Sequence, residues 1–146
     1  MNTLENLTYS LKKAGLRITP QRMAICRKLC ESNAHPTAFM IFDEIRHEYP
    51  SLSLATVYNT LDVLAGLGVV NVLGPAGDGR VHFDADTSPH VNLACSSCHR
   101  IVDVPTIAMD GLQDAVSQVT GFELRGARIL YYGICPDCQK KNTKPN

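Results

Sequence analysis

The residues able to do chemistry in this chain crowd between positions 81 and 103, Val-His-Phe-Asp-Ala-Asp-Thr-Ser-Pro-His-Val-Asn-Leu-Ala-Cys-Ser-Ser-Cys-His-Arg-Ile-Val-Asp. This run holds three of the five histidines (His82, His90, His99), three carboxylates (Asp84, Asp86, Asp103) and the Cys-x-x-Cys pair Cys95 and Cys98. A second pair, Cys135 and Cys138, follows after 36 intervening residues. Each Cys-x-x-Cys turn aims two thiolates at one point, and four thiolates at about 2.3 Å complete the tetrahedron that suits Zn2+. Such a closed site has no open position, so it would be structural and would clip a small C-terminal core together. The competing readings are cysteines buried as small apolar groups and a thioredoxin-like redox pair. The redox motif needs a strand–helix context that neither pair shows clearly.

A second, scattered set is His35, Asp84, His90, Asn92 and Asp103. Imidazole and oxygen donors without thiolate suit Fe2+, Mn2+ or Zn2+. His35 falls in the helical half and the others follow it, so one cation held by all of them would fix the angle between two halves. Taken singly, each has a plain alternative. His35 before Pro36 could start a turn, and Asp84 could be a loop acid. His82 or Asp86 could stand in as a ligand, whereas His82, His99 and His47 are otherwise expected at the surface or beside the site. Cys26 and Cys30, at i and i+4, are read as small apolar groups without a function.

These donors need elements to carry them. Leu4, Leu7 and Leu11 at helical spacing predict a helix over 3–14, stopped by Gly15. Thr19-Pro20 is an N-cap with proline at the first helical position, opening a helix to about residue 32 with Met23, Ile25, Cys26, Leu29 and Cys30 available to a core. Thr37 caps a third helix, with Phe39, Ile41, Phe42 and Ile45 apolar, ending before Pro50. Ser53 caps a fourth over 54–65, with Leu54, Val57, Leu61 and Leu64 as the buried stripe and Thr56, Asn59 and Thr60 opposite. Strands are expected over 69–73 and 80–83 around a glycine-rich loop, then over 91–94, 100–104, 122–125 and 128–132, with a helix over 107–119 and a frayed polar tail over 139–146. The fold class is α+β: an N-terminal winged helix-turn-helix DNA-binding domain over 1–83, then a small α/β domain over 84–146.

Net charge is zero, but the first 30 residues carry six basic side chains against one acid, Glu5. Lys12, Lys13, Arg17 and Arg22 are the expected phosphate contacts on double-stranded DNA, which position without specifying. Thr56, Tyr58 and Asn59 would face the major groove, where Thr can meet a thymine methyl and Asn a base edge. The 45% hydrophobic content is that of a folded chain, and no apolar run approaches the roughly 20 residues of a membrane span. The N-terminus has no basic segment followed by an apolar core, so a cytoplasmic location is expected. A zinc deaminase would need His-x-Glu and Pro-Cys-x-x-Cys; the order here is Cys-Pro-Asp-Cys without a His-x-Glu, so no enzyme is expected.

Thr19-Pro20-Gln21-Arg22, His35-Pro36-Thr37-Ala38, Ser53-Leu54-Ala55-Thr56-Val57-Tyr58-Asn59-Thr60-Leu61, the run before Cys95-x-x-Cys98, and Cys135-x-x-Cys138 together resemble the ferric uptake regulator family over nearly the whole chain. The resemblance implies a homodimeric, metal-dependent transcription repressor, with the second domain as the dimerisation domain, a structural zinc on the four cysteines and a regulatory Fe2+ or Mn2+. Two-fold symmetry would then match a palindromic operator. Within the family, Tyr58-Asn59 and Asp84 are similar to the peroxide-sensing repressors. Their regulatory site has three histidines and two aspartates; His35, Asp84, His90 and Asp103 match four positions, and Asn92 stands in place of the fifth, a histidine. Peroxide reacting with bound Fe2+ would oxidise histidine ligands, here His35 or His90. A further family metal site expects a histidine around 125–128, where Arg125, Gly126, Ala127 and Arg128 stand, so no third metal is expected.

Overall fold

The computed structural model describes residues 2–75, 77–88, 90–104, 110–124 and 127–142. The chain divides into two compact units, Met1–Pro75 with Gly79–Thr87, and Ala76–Asp78 with Ser88–Asn146.

The first unit is built from α1 (Leu4–Lys13), α2 (Pro20–Glu31), α3 (Ala38–Ile45), α4 (Leu54–Gly66) and the antiparallel hairpin β1 (Asn71–Leu73) and β2 (His82–Asp84). This is the winged-helix order. Every helix starts on a hydroxyl cap: Thr3, Thr19, Thr37 and Ser53 accept from the backbone N–H of Asn6, Arg22, Met40 and Thr56. α1 carries Glu5 in its first turn and Lys12 and Lys13 in its last, the arrangement its dipole favours. Leu7, Leu11, Ile25, Leu29, Ile41, Val57 and Leu64 meet in one core with Leu61 fully buried among them. Met23 and Phe39, expected to contribute, are exposed. Leu61→Ala should destabilise this unit by about 2–5 kcal/mol, read by denaturant unfolding.

Two expectations differ from the structure in this unit. Thr60 is buried, not on the polar face of α4. Its hydroxyl donates to the Thr56 carbonyl at 2.9 Å, so its polarity is satisfied within the helix. The buried row is therefore Val57, Thr60, Leu61 and Leu64, with Leu54 only half-buried. α3 ends at Ile45, before Pro50, and the N–H groups of Glu48 and Tyr49 both turn back to the Ile45 carbonyl. The hairpin strands are shorter than expected, three residues each.

The second unit holds β3 (Val91–Cys95), β4 (Ile101–Val104), α5 (Asp110–Thr120), β5 (Ile129–Gly133) and α6 (Pro136–Asn142). Its sheet order is β4-β3-β5; β3 and β4 are antiparallel, whereas β3 and β5 are parallel. A parallel pair needs a crossover, and α5 lies within it. No strand forms over Phe122–Leu124. Gly121 takes φ +72°, Ser117 Oγ donates to the Phe122 carbonyl, and the Phe122 N–H goes to Thr120 Oγ1, so these groups close the end of α5 instead. The expected frayed tail is in part helix: α6 starts with Pro136 in its first turn, with Asp137 near its N-terminus and Lys140 and Lys141 in its last turn. Residues 107–109 of the expected helix, residue 125 of the expected strand and residues 143–146 of the tail lie outside the described residues.

Candidate metal centres

The cysteine cluster lies within the second unit. β3 ends in Cys95, whose register partner on β5 is Gly133, so both strands finish at the same level. Beyond β3, the 96–99 turn returns to β4; His99 takes φ +64° and its N–H bonds the Cys95 carbonyl, while Cys95 N–H bonds the Arg100 carbonyl. Beyond β5, Cys135 precedes α6, and the first turn of that helix delivers Cys138. Arg100 ties the turn to α6 through Asp137 at 3.1 Å.

The four sulfurs lie within 4.8 Å of one another, with Cys98 and Cys135 at 3.9 Å. A zinc tetrahedron with 2.3 Å bonds has sulfur–sulfur edges of about 3.8 Å, so this donor set fits the ion. None of the four is in a disulfide. The backbone favours thiolate: the N–H groups of Cys98 and Cys135 point at Cys95 Sγ at 3.5 and 3.4 Å, and that of Cys138 at Cys135 Sγ at 3.5 Å. The Cys98 N–H, then that of Cys135, hold the Cys95 thiol down to about 5. The Cys135 thiol is lowered too, chiefly by the Cys138 N–H. Cys138 has a Ser97 hydrogen bond that favours its thiolate, but contact with Cys135 and burial outweigh it and leave the thiol at about 11. Sulfurs this close cannot all ionise without a cation among them. Cys26 is different in kind: burial, then Cys30, raises it to about 12, so it is an inert core thiol.

Each unit also carries one histidine–carboxylate pair. In the first, His35 and Asp84 are buried, with His35 Nε2 and Asp84 Oδ2 3.5 Å apart. His35 is held in the left-handed region at φ +50°, unusual for a residue with a side chain. His82, expected at the surface or beside the site, is buried; its Nδ1 donates to the His35 carbonyl at 2.7 Å, and Thr37 bridges to the same histidine. The Phe83 N–H bonds the Pro36 carbonyl, completing the clamp on the His35 backbone. Asp84 Oδ1 accepts the Asp86 N–H at 2.9 Å, so it is the backbone of Asp86 that orients Asp84. Nothing in the spacing of His82 signals this clamping part, because its partner His35 lies 47 residues away.

In the second unit, His90 Nε2 and Asp103 Oδ1 are also 3.5 Å apart. His90 Nδ1 lies 2.7 Å from the Ser88 carbonyl, which can only accept, so Nδ1 carries the proton and Nε2 the lone pair. Asn92, on β3, is register partner of Asp103 on β4. It is 3% exposed, and among the described residues its Oδ1 has no hydrogen-bond partner. Two donors each about 2.1 Å from one ion stand about 3–3.5 Å apart, so each pair has the bite of a metal chelate.

The expected DNA contacts all lie in the first unit. Lys12, Lys13, Arg17, Tyr58 and Asn59 are exposed, and Thr56 is half-buried with its hydroxyl 2.9 Å from Ser53 Oγ. Arg22 is less available than expected. It is half-buried, its Nη1 donates to the Arg17 carbonyl at 2.7 Å, and it braces the turn between α1 and α2. Arg22→Ala should weaken binding to every duplex and flatten the salt slope by about 0.9 per lost phosphate contact, read by anisotropy at several salt concentrations. A changed base preference would contradict a phosphate role.

A model of the ferric uptake regulator family matches residues 13–132. The peroxide-responsive repressor PerR of Staphylococcus epidermidis is 39% identical over 138 residues, 94% of this chain and 91% of that protein. Among solved structures, the Helicobacter pylori ferric uptake regulator Fur, described with three functional metal-binding sites, matches with a TM-score of 0.78 at 25% identity, over 94% of this chain and 95% of that one. The Streptococcus pyogenes PerR, solved to explain peroxide sensing and gene regulation, matches with a TM-score of 0.54 at 34% identity, over 95% of each chain.

Proposed function

The chain belongs to the ferric uptake regulator family, and from that premise we propose that it is a metal-dependent DNA-binding repressor whose release is triggered by peroxide. The observation that carries the reading is the pair of chelates, His35 with Asp84 and His90 with Asp103, one in each compact unit. A single regulatory ion held by both pairs and Asn92 would set the angle between a DNA-reading domain over 1–83 and a dimerisation domain over 84–146. Cys95, Cys98, Cys135 and Cys138 hold a structural Zn2+; the regulatory ion is Fe2+ or Mn2+.

The chain's own residues divide the work. Lys12, Lys13, Arg17 and Arg22 meet phosphates, and Thr56, Tyr58 and Asn59 on α4 enter the major groove. Among the described residues no helix is long and apolar enough to cross a membrane, which accords with work on DNA in the cytoplasm. A homodimer on a palindromic operator follows from the family and from an uncovered apolar row on the second unit's sheet. Leu93 on β3 is paired with Val102 on β4 and Tyr131 on β5, and all three are exposed.

When bound, Fe2+ would activate peroxide by giving it one electron and regaining one from the ring, so that overall a histidine is oxidised by two electrons, one peroxide oxygen enters its ring and the other leaves as water. His35 and His90 are the side chains that take up oxygen. The clamp fixes the His35 backbone and the Ser88 carbonyl fixes the His90 ring, so both side chains start from held positions. The test is mass spectrometry of the iron-loaded protein after peroxide. One added oxygen on a peptide holding His35 or His90, with none on the manganese-loaded protein, is the expected result. No added oxygen on either peptide would remove peroxide from the proposal and leave a repressor that senses iron or zinc supply.

A further inference from the structure

We propose that Asn92 is an oxygen ligand of the regulatory ion and tilts this site toward Mn2+, at the expense of ions that favour imidazole. The inference rests on the regulatory site proposed above and concerns only the half of it built by the second unit.

Side chains alternate along a strand, so Asn92, the second residue of β3, points to one side of it, and His90 immediately precedes the strand. Directly paired residues of antiparallel strands share a face, which adds Asp103 to that side. His90 and Asp103 already meet there at 3.5 Å. Asn92 therefore sits on the same face as an existing chelate, buried to all but 3%. Its Oδ1 is shut off from solvent and meets no donor among the described residues. A buried carbonyl oxygen in that state is costly and calls for a partner. Nδ2 has no lone pair to give, so only Oδ1 can bind a cation.

The donor chemistry follows. With Asn92 this half-site offers one imidazole nitrogen and two oxygens. Carboxylate and amide oxygens suit Mn2+, whereas imidazole raises affinity for ions later in the first transition row. A histidine at the same position would make the half-site two nitrogens and one oxygen. Asn92 is thus the residue at which this chain's metal preference is set.

The test uses the full chain with its thiolate zinc in place, as wild type, Asn92→Ala, Asn92→His and His90→Ala. Mn2+ binding is read by electron paramagnetic resonance of the free ion, and Co2+ binding by its visible absorption. Zinc content and circular dichroism establish that each variant is folded. Asn92→Ala should weaken Mn2+ binding by about 10-fold or more, and Asn92→His should raise Co2+ affinity relative to Mn2+ by a similar factor. If both variants match the wild type while His90→Ala has lost both metals, Asn92 is no ligand and the proposal falls, with the regulatory site intact. If His90→Ala also binds as the wild type does, the site itself is misplaced. Should Asn92→Ala fail to fold, Asn92→His decides alone: an unchanged Co2+ to Mn2+ preference overturns the proposal.

Discussion

Cys98→Ser is expected to strip zinc from the chain and to unfold the second unit while the first stays folded. Cys98 is exposed, so the substitution opens no cavity and its effect passes through the metal. Among the described residues, the buried apolar groups of the second unit are Val91, Ala94, Cys95, Ile101 and Cys138. Two of those five belong to the thiol cluster proposed to hold zinc, so the core there would be inseparable from the ion. Structural zinc in small domains contributes roughly 10–16 kcal/mol. A whole domain is stable by only about 5–15 kcal/mol, so the metal decides whether this unit folds. The first unit has its own core around Leu61 and should keep its unfolding transition. Elemental analysis, with proteolysis mapped by mass spectrometry, reads both halves of the expectation. A zinc-free Cys98→Ser chain whose second unit resists protease would refute it. Acid should act on the same bonds. The folded pKa of Cys95 is depressed to about 5, so its thiolate persists from neutral pH down to that value. Cys138 holds protons far more readily, its thiol standing at about 11, so proton competition for zinc starts at that sulfur and release on acidification should begin above pH 5.

The second large effect is expected at Asp84. Its carboxylate is buried 3.5 Å from His35, oriented by the Asp86 N–H. A buried carboxylate opposes folding unless it is compensated. Here the Asp86 N–H and His35 compensate it, so Asp84→Ala should lower the melting point of the zinc-loaded, regulatory-metal-free protein. It should also abolish the rise that Mn2+ gives the wild type. That rise corresponds to about 2.7 kcal/mol at one hundred times the dissociation constant. Loss of the ligand should weaken Mn2+ binding by about 100-fold. A variant that still gains thermal stability from Mn2+ would show that Asp84 serves packing alone.

Much of this was legible in the residues. The hydroxyl caps Thr19, Thr37 and Ser53 gave the helix starts because an N-cap is a local bond between a side chain and an N–H three residues on. The four cysteines were legible because Cys-x-x-Cys is a turn that needs no tertiary context to aim its sulfurs. Thr60 was misread because periodicity counts a hydroxyl as polar, whereas its bond to the Thr56 carbonyl lets it sit in the core. Phe122–Leu124 was misread because alternation cannot reveal that Ser117 and Thr120 hold those backbone groups at a helix end. α6 was missed because a short lysine-rich segment has no apolar stripe, and its proline start after Cys135 was the one available signal. The clamp of His82 on His35 joins residues 47 apart, a distance no spacing rule spans.

Operator affinity with and without the regulatory ion is the deciding quantity. The probe is a palindromic duplex selected from random DNA by the manganese-loaded protein, followed by fluorescence anisotropy at fixed salt. Before titration a chelator removes the regulatory ion, and elemental analysis checks that one zinc per chain remains. The expected result is a loss of about 10- to 100-fold in affinity on removing that ion, restored by adding Mn2+. Equal affinity in the two states would contradict the claim that a cation held by His35, Asp84, His90 and Asp103 controls DNA binding.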